Sequence, residues 1–96
     1  MTSPGAERVV SRGAVLWRRC GDEILIRRRG DNELVALAGT GVDLWLALDA
    51  PRRQVDLASD LAELYDAKLD VVAADVAAAV ETLVSQGVAR VQGDAS

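Results

Sequence analysis

The sequence predicts an α+β domain in which a three-stranded antiparallel sheet is followed by three helices. The main observation is a change of hydrophobic period within residues 33–48. Residues 34–37 form a short apolar run suited to a strand, whereas Val42, Trp45 and Leu48 recur at helical spacing. The connections before this point are too short for the crossovers of a parallel sheet. Ninety-six residues, half of them hydrophobic, fit one compact domain with a single small core.

The first two predicted strands form a hairpin. Residues 1–8 are predicted to be a disordered N-terminal tail, and a β-like pattern begins at Val9. The apolar run that ends at Trp17 is the first strand, and Cys20-Gly21-Asp22 supplies residues typical of a hairpin turn. The second strand is predicted over residues 23–28, because its isoleucines fall on one face and its other side chains on the opposite face.

The third strand leads directly into a helix. Residues 29–32 form a second turn, rich in residues that tolerate positive φ, and the third strand is predicted over residues 33–37. Thr40 is predicted to be the N-cap of the following helix, with Asp43 completing a capping box. The glycines on either side of Thr40 give the backbone room to turn sharply from the sheet onto the helix.

The C-terminal half supplies the three helices. The first ends before Pro51, which blocks helical continuation. The third starts with Asp70 as its predicted N-cap and ends before Gly87, a residue suited to the left-handed position after a helix. The predicted helices cover residues 41–48, 55–65 and 70–86, followed by a short extended segment at 88–91 and a tail at 92–96. The folded domain is thus predicted over residues 9–91, in the order of a winged helix-turn-helix with its strands first.

The third predicted helix has an apolar arc that is rich in alanine. Val72, Val76 and Ala79 lie on one side, and Ala73 extends the arc along one flank. Alanine here has two interpretations. It either provides helix propensity and tight helix packing, or it leaves room for a shallow apolar groove beside the helix.

Charge argues against a nucleic-acid-binding protein. The net charge is −4, whereas binding to phosphates requires clustered Lys and Arg. Residues 1–48 carry 7 basic and 6 acidic side chains, and residues 49–96 carry 4 basic and 9 acidic ones. The basic groups therefore belong to the predicted sheet, where Arg18, Arg19 and the run at 27–29 are expected on the solvent side of strands and a turn.

The residue inventory excludes most familiar catalytic sites. The chain has no histidine and a single cysteine, Cys20, so a Ser-His-Asp triad, a Cys-His pair and the usual zinc sites cannot be built from it. One cysteine also allows no internal disulfide. No apolar run is long enough for a signal peptide or a membrane span. We therefore expect a cytoplasmic protein that does not enter membranes, and we assign no chemistry to Cys20.

Three segments share features with one known family. In LAGTGVDLW, residues 37–45, a strand leads through a Gly/Thr turn to a helix that bears a tryptophan. LASDLAELY, residues 57–65, matches a helix of the kind L-A-x-x-L-x-x-x-Y. In residues 72–91 the last helix opens with the pair Asp75-Val76 and closes on Leu83, polar residues and Gly87. Together these segments resemble the PqqD-like family, whose members are leader-peptide recognition elements of pathways that make and modify ribosomal peptides. The resemblance covers about residues 13–91, and this chain has Ala79 where the family often has a bulkier residue.

The resemblance implies a non-catalytic module, without cofactor or metal, that captures the leader of a precursor peptide and delivers it to a separate tailoring enzyme. In that family the leader adds as a strand to the third strand and lies against the third helix, a mode of recognition known as β-augmentation. An exposed apolar edge is ordinarily an aggregation liability, so it is better explained if a partner strand occupies it. The peptide-binding residues implied here are Leu34, Val35, Ala36, Leu37, Val72, Ala73, Asp75, Val76 and Ala79.

Other functions remain open at this point. A winged-helix nucleic-acid-binding regulator would be expected to carry basic residues on its third helix, where this chain has Asp75 and Glu81 and no Lys or Arg. A small scaffold subunit of a modifying enzyme would use the same edge strand to stabilise a partner without any leader peptide. The same open edge also allows a homodimer.

Overall fold

The computed structural model describes residues 8–28, 30 and 33–92. These residues form an α+β domain with a three-stranded antiparallel sheet and three helices, which confirms the predicted fold class. The elements in chain order are β1 (Val9–Arg12), β2 (Leu16–Cys20), β3 (Glu23–Arg27), β4 (Leu34–Leu37), α1 (Thr40–Ala47), β5 (Arg52–Arg53), α2 (Gln54–Tyr65), α3 (Leu69–Ser85) and β6 (Ala89–Gln92).

The predicted meander consists of β2, β3 and β4, in that spatial order. Leu16 pairs with Arg27 in the first hairpin, and Ile24 pairs with Leu37 in the second. Gly21 has a φ of 59° at the first of the two loop residues, which is the conformation that a type II′ turn requires. Such a turn twists the backbone in the same sense as the strands, so glycine at this position fixes the register of the first hairpin.

A second small sheet lies outside the sequence prediction. It has the order β5-β1-β6, with Val9 paired to both Arg53 and Gln92. The β-like pattern that the sequence predicts from Val9 onwards is therefore divided between two sheets, and the change occurs at Gly13. The Gly13 amide donates to the Val88 carbonyl at 2.8 Å, and a Cβ on Gly13 would lie 3.2 Å from that oxygen. A side chain at this position would crowd the approach of the two segments.

The N-terminal caps of two helices differ from the prediction. Gly39, with a φ of 58°, is the N-cap of α1 and makes no side-chain cap hydrogen bond, so Thr40 is the first helical residue and not the cap. The chain must turn through positive φ between β4 and α1, and glycine adopts that conformation without strain. In α3 the cap is Lys68 and helix begins at Leu69, so the prediction of Asp70 as its N-cap was also wrong.

The end of α3 agrees with the prediction at Gly87. The φ of Gly87 is 76°, and its amide donates to the Val84 carbonyl at 2.9 Å. The next amide, Val88, donates to the Leu83 carbonyl at 3.0 Å. These two bonds are those of a Schellman motif, which satisfies helix carbonyls that would otherwise lack partners.

One hydrophobic core joins the inner face of the meander to the helices. Trp45 of α1 is fully buried in this core. From the sheet come Ile24 and Ile26, which are fully buried, and Val35 and Leu37, each 8 % exposed. Helix α3 contributes a stripe of four buried residues, Val72, Val76, Val80 and Leu83.

The described fold extends one residue beyond the predicted domain at each end. The Arg8 carbonyl accepts from the Gln54 amide at 2.7 Å, and Gln92 pairs with Val9. The rest of the predicted tails, residues 1–7 and 93–96, lies outside the described residues. In the part of the chain that the structure describes, no helix is long and apolar enough to cross a membrane.

Candidate functional site

Strand β4 is an edge of the meander. It pairs with β3 on one side, and within the described residues no strand pairs with its other side. Its side chains alternate, with Val35 and Leu37 buried in the core and Leu34 and Ala36 exposed. The sequence predicts residues 34–37 as a continuous apolar run and does not indicate this alternation, which leaves Leu34 and Ala36 exposed.

The register identifies which main-chain groups of β4 face the open edge. The Arg28 amide donates to the Glu33 carbonyl at 3.0 Å, so these two residues form a hydrogen-bonded pair. In an antiparallel ladder such pairs alternate with pairs whose N–H and C=O groups point away from each other. Following the register along the strands, Leu34 and Ala36 direct their main-chain groups away from β3. The open edge therefore offers the N–H and C=O groups of these two residues.

The hairpin that contains β4 is linked to α3 beside its loop. Nη1 of Arg28 donates to the Gln86 carbonyl at the end of α3, at 3.0 Å. At the other end of β4, Leu37 is buried in the core. The sequence predicts Arg28 only as a solvent-side residue, because nothing local indicates a partner 58 residues away.

The candidate residues on α3 fall into three groups. Val72 and Val76 are 4 % and 0 % exposed, so they are core residues and not part of the exposed surface of the helix. Ala73 lines a depression of about 280 Å³ between α2 and α3, together with Val55 and Ala58. At about 100° per residue, Asp75 lies roughly 160° around the helix from Ala73. Asp75 is exposed and Ala79 is half-buried.

The flank with Asp75 and Ala79 is therefore distinct from the flank that faces α2. These two residues are four positions apart and so are neighbours on the helix surface. In the same core, Val35 and Leu37 of β4 join the buried valines of α3. Strand β4 and helix α3 therefore contribute to one core. No described contact requires Ala73 to belong to the same surface as the β4 edge.

The exposed surface of α3 is acidic. Asp70, Asp75 and Glu81 are exposed, and the helix contains no Lys or Arg. Glu81 forms an ion pair with Arg8, at 3.1 Å. A recognition helix that enters the major groove would bring these carboxylates towards phosphates, which is unfavourable. Within the described residues, no group of His, Cys, Asp and Glu side chains is arranged to hold a metal ion.

The model of one protein family matches most of the chain. The model of the family described as "Coenzyme PQQ synthesis protein D (PqqD)" matches residues 24–89, which include β3, β4 and all three helices. The sequence has no significant match among curated proteins.

One solved structure has the same fold. It is the solution NMR structure of the PqqD truncation of Methylobacterium extorquens PqqCD, described as a functional and stand-alone recognition element for ribosomally synthesised and post-translationally modified peptides. The TM-score is 0.69 at 18 % sequence identity, and the match covers 85 % of this chain and 88 % of the other. At this identity the likeness establishes the shared fold.

Proposed function

Because the chain belongs to the PqqD family, we propose that it is a recognition element that binds the leader segment of a ribosomally made precursor peptide and delivers it to a separate tailoring enzyme. In this role it is not an enzyme and needs no cofactor. The single observation that carries the proposal is the open edge of β4, where Leu34 and Ala36 direct their main-chain groups away from the sheet.

Strand addition at this edge supplies affinity that depends little on the sequence of the leader. Each residue of an added antiparallel strand that faces Leu34 or Ala36 exchanges two main-chain hydrogen bonds with it. An isolated strand edge is prone to aggregation, and a bound leader removes that liability by pairing the exposed groups. The fold of a stand-alone recognition element, shared by this chain, is compatible with this role.

Selectivity among leaders depends on the side chains that flank the added strand. We place Asp75 and Ala79 of α3 at this contact, because they lie on the flank that α2 leaves free. Ala79 offers little bulk, so an apolar leader side chain can approach the helix closely. The buried candidate residues form the core under the site and do not contact the peptide directly. They are Val35, Leu37, Val72 and Val76.

The module delivers the precursor by binding the leader and the tailoring enzyme at the same time. A leader held on the module keeps the rest of the precursor near the enzyme that modifies it, which raises its effective concentration there. The module can therefore promote the reaction without touching the residue that is modified.

The proposal is tested with two proline variants on opposite edges of the meander. Ala36→Pro removes an N–H at the β4 edge. Arg19→Pro removes an N–H at the β2 edge, because the two-residue turn and the Arg19–Ile24 register point the main-chain groups of Arg19 away from β3. Isothermal titration with the leader of the precursor encoded beside this chain should give no measurable binding to Ala36→Pro and unchanged binding to Arg19→Pro.

Two results would contradict the proposal. Equal binding of the leader to the wild-type domain and to Ala36→Pro would show that the β4 edge is not used. Absence of leader binding to the wild-type domain, combined with tight and salt-sensitive binding to duplex DNA, would favour a nucleic-acid-binding regulator instead.

A further inference from the structure

The outer face of the meander carries exposed apolar side chains. We define the outer face as Leu16, Arg18, Leu25, Arg27, Leu34 and Ala36, which the strand registers place on the side opposite the core. Leu16 and Leu34 are 71 % and 63 % exposed, although both belong to strands. They lie on either side of Arg27 in one row across the three strands. Single exposed leucines are ordinary, but such residues in register on one sheet face form a continuous surface.

Arginines are placed among these apolar side chains. The next row contains Arg18, Leu25 and Ala36, so each row of the outer face has one guanidinium. A shallow depression of about 400 Å³ is lined by five outer-face residues together with Trp17. Among the described strand residues, one carboxylate lies on this side of the sheet. It belongs to Glu23, which pairs with Cys20 next to the turn of the first hairpin. The outer face is therefore apolar and positively charged.

The outer face reaches the edge at which the leader is proposed to bind. Leu34 and Ala36 belong to the outer face, and they are also the residues whose main-chain groups face the open edge. An added strand continues the alternation of the sheet, so every second side chain of the leader would lie beside them on the same side. Loading the module would thus widen the outer face by one strand, about 4.8 Å.

Charge determines which kind of partner fits this surface. Two copies of the domain that met outer face to outer face would bring arginines against arginines, and like charges oppose such contact. A surface with apolar residues bordered by Asp and Glu would instead bury the leucines and pair with both guanidinium groups.

We propose that the outer face, together with the bound leader strand, is the docking surface for the tailoring enzyme, which presents an apolar patch bordered by carboxylates. This inference rests on the proposed function, since it requires a leader on β4. It predicts that the enzyme binds the loaded module more tightly than the empty one, because the leader contributes part of the contact area.

The test separates enzyme docking from leader binding. Leu16→Ser combined with Arg18→Glu alters the outer face on β2, which is two strand spacings, roughly 10 Å, from the β4 edge. The matched control is Leu64→Ser combined with Arg90→Glu, because Leu64 is 64 % exposed on α2 and Arg90 is exposed on β6. Both proteins are titrated with the leader peptide alone, and then, loaded with leader, with the tailoring enzyme encoded beside this chain.

The outer-face variant should bind the leader as the wild type does but bind the enzyme about tenfold more weakly or worse, as expected for loss of a contact pair and apolar burial. The control should match the wild type in both titrations. Unchanged enzyme affinity in the outer-face variant, or equal enzyme affinity for loaded and empty wild-type domain, would overturn the inference and leave leader binding intact. If the wild-type domain does not bind the leader, the proposed function itself is contradicted.

Discussion

The guanidinium group of Arg12 binds the main-chain carbonyl oxygen of Trp45, with Nη2 at 2.6 Å and Nε at 3.1 Å. It also lies 4.6 Å from the ring centroid of Trp17 and 5.1 Å from that of Trp45. The two indole rings pack edge to face, 6.0 Å apart. One side chain of the second sheet thereby connects the meander to the last turn of α1, where a cation is also favoured by the helix dipole.

Replacement of Arg12 should destabilise the domain. We expect Arg12→Leu to lower the free energy of unfolding by about 2 kcal/mol, because it removes a charge-assisted hydrogen bond to a helix-terminal carbonyl. Arg12→Lys should recover only part of this loss, because an ammonium group does not reproduce the guanidinium fork. Urea unfolding followed by tryptophan fluorescence measures both variants, and Arg90→Ala on the exposed face of β6 should remain within about 0.5 kcal/mol of the wild type.

The Tyr65 hydroxyl donates a hydrogen bond to a carboxylate oxygen of Asp43 and links α2 to α1. Burial raises the pKa of Tyr65 above its ordinary value, and the hydrogen bond to Asp43 adds to this effect. Tyr65 is the sole tyrosine, so absorbance near the tyrosinate band reports its ionisation alone. We expect the pKa of Tyr65 to be higher in the folded than in the unfolded chain. Asp43→Asn should lower it in the folded chain, but only in part, since burial is the larger cause.

The direction of this pKa shift determines how stability depends on pH. As the pH rises, Tyr65 loses its proton at a lower pH in the unfolded chain than in the folded chain. The contribution of Tyr65 to the free energy of unfolding is therefore fully present below about pH 10, and it is lost as the pH rises through the higher pKa of the folded chain. Unfolding curves at several pH values should therefore show the difference between the wild type and Tyr65→Phe shrinking above that pH. A difference that stays constant or grows would contradict the assigned hydrogen bond.

The Schellman motif at the end of α3 predicts an asymmetry between two substitutions of Gly87. Its φ of 76° strains any residue that has a Cβ, so Gly87→Ala should cost about 1 kcal/mol. Gly87→Asn should cost less, because asparagine adopts the left-handed conformation more readily. Nothing lies within 4 Å of a Cβ added there, so the cost measured by urea unfolding is conformational and not steric. Equal costs for the two variants would argue against this cap.

Proline substitutions in β4 test the register without any ligand. Val35→Pro removes an N–H that is bonded to β3 and truncates a core side chain, so it should cost about 3 kcal/mol or more. Ala36→Pro removes an N–H at the open edge, where proline is tolerated, and should cost much less. Urea unfolding compares the two variants directly. A larger loss in Ala36→Pro than in Val35→Pro would show that the edge groups are assigned to the wrong residues.

The sequence was sufficient for the elements that local patterns specify. The change of period around residues 33–48 predicted β4 and α1, and the glycine after α3 predicted its end. The second sheet could not be found in this way, because β1, β5 and β6 are short and pair across as many as 83 positions, from Val9 to Gln92. The two wrong N-caps, Thr40 and Asp70, have a local cause. Hydroxyl and carboxylate residues near the start of a helix are typical caps, but here the backbone geometry places the cap one or two residues earlier, at Gly39 and Lys68.

The candidate site was predictable only as a segment. The resemblance implied an open apolar edge at residues 34–37, but this continuous apolar run did not indicate that Val35 and Leu37 are buried while Leu34 and Ala36 are exposed. Which flank of α3 remains free is a tertiary property, because it depends on the position of α2, which lines a depression together with Ala73 and Ala77. The outer face was equally inaccessible to sequence patterns, because its rows depend on the registers of three strands together.

The most direct test of leader addition to β4 is amide hydrogen exchange of the labelled domain, free and saturated with the leader of its precursor. Binding should protect the amides of Leu34 and Ala36, which face the open edge in the free domain. The amides of Trp17 and Arg19 on the opposite edge should remain unprotected, and those of Val35 and Leu37, already bonded to β3, should change little. If Leu34 and Ala36 exchange at the same rate with and without saturating peptide, the leader does not add to β4 and the proposed function is wrong.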